Sequence, residues 1–130
     1  MKPKILIVTA RYYKNFSENL EFYASVVLTN KAKYKFVSVP GVFEIPVVIS
    51  KNIKKYDAFL ALGCVIKGET PHFDFISQAT TQAIMNLSIE HKKPIGNGII
   101  TSLNKKQAFS RSKKKGQEAA KAVLSVLKNF

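Results

Sequence analysis

Apolar residues fall along this chain in short unbroken runs separated by stripes at helical spacing. Lys4-Ile-Leu-Ile-Val-Thr9 and Asp57-Ala-Phe-Leu-Ala-Leu62, the latter running on to Ile66, read as strands covered on both faces, as in a parallel sheet. Tyr34-Lys-Phe-Val-Ser-Val39 alternates less cleanly and reads as another strand, closed by a Pro40-Gly41 turn. Pro94-Ile-Gly-Asn-Gly-Ile-Ile-Thr101 completes a set of four, weakened by two glycines. Between the strands, Leu20, Tyr23, Ala24, Val27 and Leu28 recur on one helical face, with Asn15 and Ser17 as expected caps and Glu18 and Glu21 near the positive end. Ile45, Val48, Ile49 and Ile53 predict a second helix, with Pro46 tolerated in its first turn. Phe75, Ile76, Ala79, Ala83, Ile84 and Leu87 predict a long third helix. Lys105 to Arg111 reads as a short helix, Gly116 as a break, and Gln117 to Leu127 as a last helix through Ala120, Val123, Leu124 and Leu127.

Strands alternating with helices predict an α/β domain spanning residues 1–130, with a four-stranded parallel sheet between two helical layers. Ligands in such sheets sit beyond the carboxyl ends of the strands. Those ends read Thr9-Ala-Arg-Tyr-Tyr13, Pro40-Gly-Val-Phe-Glu-Ile-Pro46, Gly63 through Phe75, and Gly96 to Ser102 followed by Gln107-Ala-Phe-Ser-Arg111. They gather aromatic, carboxylate, imidazole and guanidinium groups, whereas the polar residues elsewhere are mostly lysine.

Each group has two readings. His72, near Asp74 after a strand-to-helix turn, is a candidate for proton transfer or a capping or surface histidine. Thr70 and the amides around it can hold an anion, with Arg111 as a matching fork or an ordinary helix-end arginine. Glu44 beside Phe43 can bind hydroxyls or serve a helix N-terminus. Tyr12 and Tyr13 can stack on a ligand or cover the sheet edge.

The 130 residues, 46% of them apolar, suffice for one core without metal or disulfide staples. The net charge of +13 suggests a polyanion partner, but only Arg11 and Arg111 of the 21 basic residues are arginine, and the lysines are scattered. Neither nucleic acid nor membrane is therefore expected as a partner. The apolar runs are too short for a bilayer span or a secretory leader, and there is a single cysteine, so a cytoplasmic protein is expected. Cys64, among apolar strand residues, reads as an inert buried thiol. No metal site is expected, because His72 and Asp74 are only two ligands and His91 stands beside Lys92 and Lys93. Thr9-Ala-Arg replaces any dinucleotide glycine fingerprint.

The strand-end segments, in this order, resemble the 6,7-dimethyl-8-ribityllumazine synthase family. Pro40-Gly-Val-Phe-Glu-Ile-Pro46 and Gly63 through Phe75 carry the resemblance, supported by Gln107-Ala-Phe-Ser-Arg111 and Lys115-Gly116. It implies a flavodoxin-like fold and a cofactor-free condensation of 5-amino-6-(D-ribitylamino)uracil with 3,4-dihydroxy-2-butanone 4-phosphate, at sites between subunits of a ring. By position, Tyr12 takes the place of the aromatic that stacks on the pyrimidine, and Val42, Phe43 and Glu44 that of the ribityl loop. Cys64, Val65 and Ile66 match the stretch lining the pyrimidine, and Glu69 and Thr70 the phosphate-side turn. His72 matches the proton-transfer histidine and Arg111 the phosphate arginine of the adjacent subunit. Asn97 stands where many members have Phe, and Lys115 where a lysine contacts the pyrimidine. Tyr13 replaces a common Asn. The segment between Arg111 and Lys115 is shorter than in many members, and the chain begins almost at its first strand; both favour a free pentamer over an icosahedral shell. The competing reading is a non-catalytic flavin- or nucleotide-binding module, which would need neither His72 nor Arg111.

Overall fold

The computed structural model describes residues 2–69 and 72–129. Thr70, the phosphate-side residue of the sequence reading, lies outside the described residues. The element order is β1 (Lys4–Ala10), α1 (Lys14–Leu28), β2 (Lys33–Val39), a single 3-10 turn (Val42–Glu44), α2 (Ile45–Lys51), β3 (Ala58–Ile66), α3 (Phe73–His91), β4 (Ile95–Ser102) and α4 (Lys105–Asn129). The strands form one all-parallel sheet in the order β2-β1-β3-β4. Ile5 stands opposite Ala58, and Ile66 opposite Ser102.

The pleat sorts side chains into two cores. Ile5 and Ile7 of β1 and Leu60, Leu62 and Ile66 of β3 face α1 and α4, meeting Leu20, Ala24, Leu28, Ala120 and Val123. Leu6, Val8, Phe59, Ala61 and Val65 face the other side, meeting Ile45 and Ile49 of α2 and Ile84 of α3. The three-layer arrangement expected from the alternating runs is therefore present, and β1 and β3 are the doubly covered strands.

Two local expectations are corrected. The last helix does not break at Gly116: α4 runs continuously over 25 residues. A Cβ at Gly116 would lie 2.6 Å from the Leu20 carbonyl oxygen, so glycine serves there to bring α4 against the α1 backbone. Helix α1 begins at Lys14 with Tyr13 at its N-cap and no side-chain cap bond, so Asn15 and Ser17 are not caps. The Ser17 hydroxyl is buried and donates to the Ala10 carbonyl, and also lies 3.1 Å from that of Tyr13. The glycines of β4 act as Gly116 does: a Cβ at Gly96 would stand 2.5 Å from the Ala119 carbonyl oxygen of α4.

Helix α3 is bound least to its own chain. Of its 19 residues only Thr80 and Ile84 are buried, while Phe75, Met85 and Ile89 are more than half exposed.

Candidate active site

The strand order places the topological switch between β1 and β3, because the chain leaves β1 toward β2 on one side and returns to β3 on the other. A cleft of about 270 Å³ opens there at the carboxyl ends of the strands. Tyr12 and Tyr13 line it from the end of β1, Gly41 to Glu44 from the turn after β2, Cys64, Val65 and Glu69 from the end of β3, and Ile76 from α3. Tyr12 and Phe43, 69% and 63% exposed, leave two aromatic rings uncovered at its mouth, as required of groups that stack on a planar ligand.

Local hydrogen bonds hold this frame. The Glu44 carboxylate accepts the Gly41 N–H at 3.0 Å, and the Gly41 carbonyl accepts the Glu44 N–H at 3.2 Å. That reciprocal pair shapes the turn and leaves Oε2 of Glu44 without a donor among the described residues. One oxygen thus serves the turn while the side chain also lines the cleft. The Arg11 Nη2 contacts both oxygens of Glu21 at 2.8 and 2.9 Å, and its Nε donates to the Ser38 hydroxyl at 3.0 Å. The fork of Arg11 thus ties β1 to α1 and β2 rather than facing a ligand.

At the inner end of the cleft the Tyr13 hydroxyl donates to Glu69 Oε1 at 3.3 Å, and Lys105 Nζ stands 3.9 Å from the same oxygen. Burial, followed by the charge of Glu69, pushes the Tyr13 phenol up to about 12. The same two causes push the Cys64 thiol up to about 11. Cys64 is buried and protonated at neutral pH, as its apolar surroundings predicted.

His72 lies in an adjoining cleft of about 420 Å³, lined also by Lys67, Gly68, Glu69 and the first residues of α3, Phe73 to Phe75. Glu69 belongs to both clefts. His72 occupies the N-cap position of α3 but makes no side-chain cap bond, so the capping role is not used, and the imidazole is exposed. Asp74 lines the same cleft.

The structure thus gathers Tyr12, Val42, Phe43, Glu44, Cys64, Val65 and Glu69 in one cleft, with His72 next to it. Ile66 does not reach the cleft and lies fully buried in the core beneath it. Asn97, Arg111 and Lys115 line neither cleft of this chain. Asn97 Oδ1 accepts the Ile99 N–H at 3.0 Å on β4, and Arg111 is exposed, its Nη1 donating to the Thr101 carbonyl at 3.2 Å. Gly41 and Ile76 line the cleft beyond the residues singled out from sequence; their signals were the Pro40-Gly41 turn and the apolar stripe of α3. Among the described residues no three His, Cys, Asp or Glu side chains gather as a metal site would need.

Comparison with known proteins identifies the family. The family model described as 6,7-dimethyl-8-ribityllumazine synthase matches residues 2–130. The chain is similar to the protein of that name from Bartonella tribocorum, with 40% identity over 134 residues covering 97% of this chain and 89% of the relative. The one from Agrobacterium fabrum is 41% identical over 138 residues, covering 97% and 93%. The one from Bartonella henselae is 44% identical over 135 residues, covering 97% and 87%.

Proposed function

The chain belongs to the 6,7-dimethyl-8-ribityllumazine synthase family, and from that premise we propose where its reaction runs and which side chains carry it. The chain is a transferase of riboflavin biosynthesis. It condenses 5-amino-6-(D-ribitylamino)uracil with 3,4-dihydroxy-2-butanone 4-phosphate to 6,7-dimethyl-8-ribityllumazine, releasing water and phosphate. The observation that carries the site assignment is the convergence of Tyr12, Val42 to Glu44, Cys64, Val65 and Glu69 on one cleft at the sheet's switch point, with His72 beside it.

In this reading the pyrimidine stacks on Tyr12 and lies along Cys64 and Val65, while Phe43 and Glu44 take the ribityl chain. The 5-amino nitrogen attacks the ketone carbonyl and water leaves to give an imine; phosphate is eliminated, the resulting enol tautomerises to a new carbonyl, and the ribitylamino nitrogen attacks it, a second water leaving as the ring closes. Each step moves protons rather than electrons, and a side chain that can both take and return them is needed beside the cleft; His72 has that role. Thr70 and Glu69 border the phosphate. Much of the rate comes from holding two substrates in register.

Arg111 completes the site from an adjacent copy. Its absence from the lining of this chain's own clefts and its exposed guanidinium at the end of β4 support that reading, as does the uncovered apolar face of α3. Asn97 and Lys115, which also line neither cleft, are assigned to the same contact. The copies form a closed homopentamer rather than a shell, supported by the short Arg111–Lys115 segment inside an unbroken α4. We place the enzyme in the cytoplasm, where its substrates are soluble metabolites; among the described residues no helix is long and apolar enough to cross a membrane.

The test is subunit complementation. His72→Ala and Arg111→Ala are each expected to have low activity with both substrates, read by lumazine absorbance. Co-refolded in equal amounts, they should regain about a quarter of wild-type activity, because random placement around a ring gives one junction in four two intact contributors. No recovery from co-refolded rings of wild-type mass would place both groups in one subunit and overturn the shared site.

A further inference from the structure

We propose that Tyr13 is a positioning residue for this reaction: its phenol holds the Glu69 carboxylate and so fixes the end of β3 from which the chain runs to His72. The inference rests on the assignment of His72 to proton transfer.

After β3 the Lys67 N–H still donates to the Ser102 carbonyl at 2.9 Å, but the next residues are held more loosely: Gly68 sits at φ +88°, with no atom of the described residues within 4 Å of where its Cβ would be, and the Glu69 N–H reaches the Ile66 carbonyl at 3.3 Å. His72 follows three residues after Glu69 and makes no side-chain cap bond that would fix it independently. Among the described residues, the hydrogen bond from Tyr13 to Glu69 is the side-chain link between this turn and the β1–α1 junction. Lys105, at the start of α4, approaches the same carboxylate oxygen at 3.9 Å. Glu69 therefore joins the segments that follow β1, β3 and β4.

The donor in this link is itself braced. The Tyr13 ring meets Tyr12 edge-on with centroids 4.8 Å apart and Phe16 at 6.0 Å, and Phe16 in turn packs on Phe109 of α4 at 6.3 Å. The hydroxyl is thus held by a row of rings rather than by a freely rotating side chain. With its phenol raised to about 12, Tyr13 remains a donor throughout the neutral and mildly alkaline range. An acid whose orientation decides how well a transferred proton is aimed gains from such a clamp, since misplacement by about 1 Å can cost up to about 100-fold in rate.

Tyr13→Phe removes the hydroxyl and keeps the ring. In the assembled enzyme we expect kcat to fall by about 10- to 100-fold, with KM for each substrate changed less than twofold. In the ligand-free enzyme, amide hydrogen exchange should quicken at residues 67–69 and 72–74 and stay unchanged in the sheet. Glu69→Ala should reproduce the quickened exchange, and the double variant should exchange no faster than either single one. Glu69→Gln, whose amide oxygen still accepts from the phenol, should keep the wild-type exchange pattern at residues 67–69 and 72–74. Multiplying effects in the double variant, a rise in KM at constant kcat, or unaltered exchange would each overturn the clamp. Exchange that responds as expected in a wild-type protein making no lumazine would refute the reaction assignment and leave the clamp standing.

Discussion

Replacing Gly116 by alanine sets two effects of opposite sign against each other. In an exposed helix interior alanine is favoured over glycine by about 1 kcal/mol, so propensity alone predicts a more stable protein. In α4 the added Cβ would stand 2.6 Å from the Leu20 carbonyl oxygen and 3.4 Å from the Ala24 nitrogen, where ordinary contact begins at 3.4 Å. The obstacle is the backbone of α1, between the fully buried side chains of Leu20 and Ala24, and it has no rotamer by which to withdraw. The helices must separate, loosening the core around them and the 2.8 Å hydrogen bond from Asn19 to the Ser112 hydroxyl. Because the obstacle is backbone, the upper part of the usual overpacking cost applies, about 2–3 kcal/mol; less the propensity gain of about 1, we expect a net loss of about 1–2 kcal/mol. Urea unfolding followed by circular dichroism at one fixed protein concentration measures it, as a lower midpoint at unchanged slope. Gly68→Ala is the contrasting variant, because its positive φ is strained for alanine but nothing among the described residues lies within 4 Å of the new methyl group. Its loss of about 1–2 kcal/mol would come from the backbone alone. A Gly116→Ala protein as stable as wild type, or more so, would refute the close crossing of α1 and α4.

Three further outcomes follow from the site and the charge. His72→Ala should lower turnover by about 100-fold or more, the usual contribution of a positioned acid–base group, while light scattering reports an unchanged assembly; full activity would remove His72 from the mechanism. The Cys64 thiol rises from 9.0 to about 11 on folding, so between those pH values the unfolded chain releases a proton that the native state keeps, and stability falls as pH rises through that window. Cys64→Ala should flatten that part of a stability–pH curve, and rapid alkylation of native Cys64 at pH 7 would contradict its burial. RNA and duplex DNA should show no retention near physiological salt despite the +13 charge; tight binding with a steep salt dependence would give the lysines a nucleic-acid role.

What could be read from sequence divides along physical lines. The runs at Lys4–Thr9 and Ala58–Ile66 announced doubly covered strands because a parallel sheet imposes that pattern on its centre, and both were found as β1 and β3. Gly116 misled because local propensity counts a glycine against a helix, whereas the contact with Leu20, 96 residues away in sequence, needs one. Ser17 misled in the same way: a hydroxyl that looks like a cap turns inward to the Ala10 carbonyl. On α3 the periodic stripe predicted a helix correctly but not its covering, since Phe75 and Ala79 of that stripe are exposed. The cleft was legible as strand-end segments, because the position of ligands in such sheets is topological. The meeting of Tyr13 with Glu69, 56 positions apart, was not, because neither residue carries a local pattern that names the other.

The sparse covering of α3 bears on how the protein behaves when it is scarce. A helix with only two buried residues in 19 adds little to the cohesion of a lone chain. If another copy supplies its cover, folding and association share one equilibrium and the melting temperature climbs with concentration. Catalytic output would then fall faster than in proportion on dilution, so a cell short of this polypeptide would lose flavin supply sooner than the amount of chain alone suggests.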